Sequence, residues 1–178
     1  MKSAIEQLAN YKSVHLNSTN LKTHFVGIPL IIWSIFLLLS LLRIDVVGIE
    51  IGGSVLLLVP VMLYYLLLHW RLAIGMAVFM VPVVASTEWL SQMGAASVWL
   101  ALLVFIVGWI FQFIGHHYEQ AKPAFLDDIN QLFIGPFFLM AEIYFMLGWA
   151  SSLERCITPL ARDKRLLLEQ IKTRRVID

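Results

Sequence analysis

The chain has 178 residues, of which 60% are apolar and 14% charged, and its mean hydropathy is +0.80. This composition excludes an ordinary soluble domain and leaves room for one compact helical membrane unit. The net charge of +1 gives no basic surface of the kind nucleic acid needs, and the single Cys156 excludes an internal disulfide.

The first expected element is a short amphipathic helix over 3–15. Ser3 and Glu6 have capping-box spacing, and Ala4, Leu8, Tyr11 and His15 recur on one face. Asn17-Ser18-Thr19-Asn20 breaks it, with Thr19 or Asn20 expected to cap the next helix. Four apolar runs follow at 24–42, 51–68, 72–90 and 95–114, each near the ~20 residues that cross a bilayer. Arg43-Ile44-Asp45, His69-Trp70-Arg71 and Ser91 to Gly94 punctuate them, and Pro29, Pro60 and Pro82 fall within or at the ends of the runs. A fifth run, 129–150, carries Gly135-Pro136 and Glu142, and is expected as a broken or re-entrant pair of half-helices. Asp127 and Asp128 are expected to cap it. An amphipathic tail over 153–174 is suited to an anionic surface.

The expected fold is therefore all-α, a polytopic helical membrane bundle of four spanning helices, a re-entrant fifth segment and amphipathic terminal helices. It forms one domain: an interfacial helix and turn (1–23), the bundle (24–150) and a basic tail (151–178). The positive-inside tendency orients it. With the N-terminus cytosolic, the inside segments carry Lys2, Lys12, Lys22, Arg71 and Lys122, and the outside loops only Arg43. Four crossings, an even number, return His24 and His116 to the same face.

That parity matters because four of the five histidines sit at the two ends of the bundle, His15 and His24 at one, His116 and His117 at the other. Gln112, His116 and Glu119 are spaced i, i+4, i+7, which sets them on one helix face. Imidazoles and a carboxylate at a bundle mouth suit Fe(II), Zn or Mn. Nine residues would put His15 and His24 on opposite sides of one helix, but the Asn turn folds the two segments independently. Asn17 and Asn20 serve the turn and can also orient imidazoles. Glu142, inside an apolar run, is a functional candidate. Lys22 and Lys122 can meet a substrate carboxylate or snorkel. His69-Trp70-Arg71 reads as an interfacial anchor.

The two clusters carry a resemblance. Tyr11-xxx-His15-x-Asn17-xx-Asn20-xxx-His24-xx-Gly27-x-Pro29, with Trp109-xx-Gln112-Phe113-Ile114-Gly115-His116 and Glu119-xxx-Pro123-Ala124, resembles the membrane 2-hydroxy fatty acid dioxygenase family, whose members occur in yeast and bacteria. The resemblance implies Fe(II)-dependent α-oxidation, in which a 2-hydroxy fatty acid loses one carbon as O2 is consumed. It implies iron ligation by His15, His24 and His116, with His117 or Glu119 completing or orienting the set. Tyr11 and Gln112 would bind or orient substrate, with Asn20, Lys22, Lys122 and Glu142 as weaker substrate contacts. A bacterial inner membrane is expected rather than the endoplasmic reticulum, and an oligomer is left open. A lipid-binding or lipid-transfer protein without a metal, or a zinc-dependent lipid hydrolase, fits the same cleft.

Overall fold

The computed structural model describes residues 2–126 and 128–177, so the expected capping role of Asp127 lies outside the described residues. Among the described residues there are six helices and one β-hairpin: α1 (Ala4–Ser13), α2 (Ser18–Ser40), β1 (Arg43–Val46), β2 (Ile49–Gly52), α3 (Gly53–Ser91), α4 (Ala95–Glu119), α5 (Gln131–Met146) and α6 (Ser151–Ile177). Ala124–Leu126 adds a single 3-10 turn before α5.

Among the described residues three helices, α2, α3 and α4, are long and apolar enough to cross a membrane. Only 39%, 28% and 22% of their most apolar windows are buried, so much of the remaining apolar surface faces outward, as lipid contact requires. The runs expected as separate spans at 51–68 and 72–90 are joined in α3, which breaks at His69, an extended residue (φ −163°, ψ 99°) in an otherwise helical segment. The arms on either side fold back on each other. Ser54 Oγ donates to Glu88 Oε1 at 2.8 Å, whereas an unbroken helix would hold those residues about 50 Å apart.

The all-helical expectation also missed the hairpin. β1 and β2 pair antiparallel with Arg43 opposite Gly52 and Val46 opposite Ile49. The two-residue turn has positive φ at both Val47 (56°) and Gly48 (80°), the backbone of a tight turn matched to strand twist. Asp45 Oδ1 accepts from Gly48 N at 2.8 Å. The strands do alternate, Arg43-Ile44-Asp45-Val46 and Ile49-Glu50-Ile51, but at four residues each they are easily read as the punctuation between two apolar runs.

A second correction concerns 129–150. It is not a pair of half-helices: α5 runs unbroken through Pro136. The proline removes only the bond its own N–H would have given the Leu132 carbonyl, and surrounding contacts hold the turn. At 16 residues, α5 is about 24 Å long, and it packs against α1 and α3.

α5 packs on α3 and α1, and α6 packs on α1. The helices α1, α5 and α6 thus form a cap over one end of the α2–α3–α4 bundle. Leu8, Ala9 and Tyr11 of α1, Ile134 and Phe137 to Ala141 of α5, and Ile157 and Ala161 of α6 are buried there. The cap is also pinned by charge, since Lys12 of α1 pairs with Glu142 of α5.

Candidate metal centre

The site is built where α2 and α4 cross beneath α1. Asn17, rather than Thr19 or Asn20, caps α2: its Oδ1 accepts from Thr19 N at 2.8 Å and Asn20 N at 3.4 Å. Its side chain reaches both freed amides from the turn, which the later residues cannot do from inside the helix. This sharp turn between α1 and α2 brings His15 back over His24.

Glycines let α2 and α4 approach closely. A Cβ on Gly108 would stand 2.7 Å from Ile31 Cγ1 and 3.0 Å from the Gly27 carbonyl. One on Gly115 would collide with Thr23 Oγ1 and Asn20 Oδ1 and lie 3.1 Å from His24 Nδ1. Small residues at a helix crossing bring backbones together in lipid, where van der Waals packing drives association. Here they bring His116 against His24.

Three imidazoles meet at this crossing. The ring centroids of His15, His24 and His116 are 4.5, 5.0 and 5.0 Å apart, and one ligating atom from each lies within 4.8 Å of the others. His15 Nδ1 is 2.6 Å from the Tyr11 carbonyl and His24 Nδ1 is 2.9 Å from the Asn20 carbonyl. A carbonyl only accepts, so both Nδ1 atoms carry the proton and both Nε2 atoms present lone pairs. Those two Nε2 atoms face each other at 3.0 Å. Without a cation between them the contact is repulsive.

The donor set fits a metal ion. Two imidazole nitrogens at about 2.1 Å from a common ion, near a right angle, stand about 3.0 Å apart. His116 Nδ1 is buried with no hydrogen-bond partner. Burial, with His24 and His116 alongside, pushes His15 well below its ordinary pKa, and the neutral imidazole is the ligating form. Tyr11 stacks flat on His15, with centroids 4.1 Å apart and planes 1° from parallel. Its ring and the Tyr11 carbonyl together fix the His15 ring plane.

Glu119 does not join the three histidines. It is buried, and its carboxylate faces the turn before α2, accepting from Leu16 N at 3.2 Å, Asn17 N at 2.8 Å and Asn20 Nδ2 at 3.1 Å. Arg165 of α6 adds an ion pair at 3.4 Å. With its oxygens committed to these donors, Glu119 holds the turn that positions His15. His117 is also outside the cluster: one residue beyond His116, it points to the exposed side of α4 beside Tyr118. Asn20 is fully buried, its amide nitrogen binding the Val14 carbonyl as well as Glu119.

A cavity of about 450 Å³ extends from the cluster into the bundle, within the usual range for small-molecule sites. Tyr11, Gln112 and His116 line its head, and Ile28, Ile32, Val61 and Met76 are among its apolar walls. Gln112 Nε2 is buried without a partner, a donor left for a ligand. Lys22 and Lys122 are exposed, and Glu142 is turned to Lys12. None of the three lines the cavity. Sequence reasoning missed Gln131, which also lines it and whose Oε1 is buried unpartnered. It missed Arg165 as well, because a basic residue on an amphipathic tail carries no sign of its partner.

A helical membrane-type protein with a three-histidine cluster at the head of an apolar cavity is the class this geometry defines. Comparison with known proteins places the chain within it. The family model described as 2-hydroxy-palmitic acid dioxygenase Mpo1-like matches residues 1–147, and the chain belongs to that family. The 2-hydroxy-palmitic acid dioxygenase MPO1 of Saccharomyces cerevisiae is 30% identical over 150 residues, 83% of each chain. No solved structure matches.

Proposed function

We propose that the chain is an Fe(II)-dependent dioxygenase that shortens 2-hydroxy fatty acids by one carbon at the expense of O2. The observation that carries this reading is the pair of Nε2 lone pairs of His15 and His24 facing each other beside His116, which lines the polar head of an otherwise apolar cavity. Family membership and the name of the yeast relative supply the reaction class.

His15, His24 and His116 are the residues that would hold the iron. Bound there, it would supply the redox chemistry for O2, leaving positions for a chelating hydroxyl and carboxylate because the protein offers three ligands. Tyr11 keeps the His15 ring in plane. Gln112 offers its free amide N–H to the acid head, and the apolar walls exclude water from the alkyl chain. In the overall balance one O2 is taken up, the C1–C2 bond breaks, C2 becomes the new carboxyl, and C1 leaves as CO2 with one water.

In this reading the whole chain is a single integral-membrane domain. α2, the two arms of α3, and α4 make four crossings, with the cap, the N-terminus and the histidines on the cytosolic side of a bacterial inner membrane. The antiparallel α3 arms and the distribution of Lys and Arg support it. α5 then lies across the cytosolic end of the bundle.

The test is oxygen uptake with 2-hydroxypalmitate by anaerobically iron-loaded protein. Wild type should consume O2 and yield the acid one carbon shorter, while His24→Ala and His116→Ala should do neither. Retained lipid with no oxygen uptake would instead mark a lipid carrier, and 2-hydroxypalmitate left intact while an ester lipid is cleaved a hydrolase.

A further inference from the structure

The cavity has a built end. Its walls run along α2 from Ile28 to Phe36, back along α3 from Tyr65 to Leu57, out again from Met76 to Met80, and along α4 from His116 to Phe105. All four directions lead away from the histidines. At the far end Phe36 and Met80 are buried and pack with Val83 in a cluster of their own, against which Leu57 also packs. Behind this wall the helices are tied together by polar contacts: Ser40 Oγ to Thr87 Oγ1 at 3.4 Å, Ser54 Oγ to Glu88 Oε1 at 2.8 Å, and Arg43 Nη1 to Glu88 Oε2 at 2.8 Å. A wall braced in this way yields less readily than one facing lipid.

The geometry points to Phe36, Met80 and Leu57 as the residues that set the longest acyl chain the protein accepts. This rests on the reading of the cavity as a 2-hydroxy acid site. From His24 to Phe36 is twelve residues of helix, about 18 Å. An extended hydrocarbon advances about 1.3 Å per carbon, from a C–C bond near 1.5 Å and a tetrahedral angle. The space between the histidines and the wall therefore seats about fourteen carbons beyond the chelating head. Each methylene buried along it strengthens binding about fourfold. The next one, meeting Phe36 and Met80, must bend the chain or displace the wall.

The experiment is displacement of a fluorescent fatty acid from detergent-solubilised full-length protein by saturated 2-hydroxy acids, from decanoic to docosanoic, with oxygen uptake read in parallel. Wild-type affinity should climb about fourfold per methylene and then stop climbing near the palmitic to stearic length. Phe36→Ala and Met80→Ala should move that break to chains two or more carbons longer, and the milder Phe36→Leu should move it less. Leu57→Trp should move it to shorter chains, and Leu103→Trp, on the exposed face of α4, should leave it in place. Helical circular dichroism identifies any variant that fails to fold; Phe36→Leu and Leu57→Trp then carry the test. A break in the same place in all folded variants, or affinity that ignores chain length, overturns the assignment. A break that moves as expected without oxygen uptake upholds the wall and removes the oxygenase reading.

Discussion

The two ends of the bundle each pair a glutamate with an arginine, and they use it differently. At the far end Glu88 meets Arg43 at 2.8 Å and Ser54 at 2.8 Å. It joins the hairpin to both arms of α3, and the polar side chains around it are satisfied. At the histidine end Glu119 meets Arg165 and takes three N–H donors from the α1–α2 turn. Beside it lie two facing imidazole lone pairs, an unpartnered His116 Nδ1 and an unpartnered Gln112 amide. Charge is common to both ends; unmet hydrogen-bonding capacity is concentrated at one. In an apolar setting each unmet group is costly, and a metal ion and an acid would satisfy those gathered at the histidine end.

The sharpest way to break this comparison is to neutralise each glutamate in turn. Glu119→Gln should lower metal affinity about 10- to 100-fold, as loss of a group that orients ligands does, measured by anaerobic competition with a chelator. The histidines themselves are untouched in that variant. An unchanged affinity would mean that the turn does not position His15. Gly115→Ala should follow. Its methyl meets Thr23, Asn20 and His24, so the α2–α4 crossing must open at a cost of about 1–3 kcal/mol, and thermal unfolding and metal affinity should fall together. Glu88→Gln should cost at most about 1 kcal/mol, because its pair with Arg43 is partly exposed, and should leave metal affinity at the wild-type value. His117→Ala should change neither quantity, since the residue is exposed and outside the cluster.

What the sequence made legible follows the same division. His15, His24 and His116 stand out because histidine is rare in apolar helix, and the count of apolar runs brings them to one end. The Asn17 turn, a break between two helical patterns, frees His15 from the register of α2. The face shared by Gln112, His116 and Glu119 follows from helical spacing, and the structure buries all three. The partner of Glu119 was not legible. Its contacts with Leu16 and Asn17 span more than a hundred residues of sequence, and a carboxylate beside histidines reads as a ligand until its hydrogen bonds are counted. The cap escaped for a related reason. An apolar run such as 129–150 does not reveal whether lipid or other helices cover it, and here α1 and α3 cover α5. His69, read with Trp70 and Arg71 as an anchor between two apolar runs, is the point where α3 turns back.

The central claim is that one metal ion is held by three imidazoles, with Glu119 outside its coordination. X-ray absorption on protein loaded anaerobically with one equivalent of Fe(II) tests it directly. The account predicts retention of one iron per chain, an imidazole scattering signature of three rings, and an unchanged set of rings in Glu119→Gln. Iron that is not retained, or that keeps the same imidazole signature in His24→Ala, would contradict it.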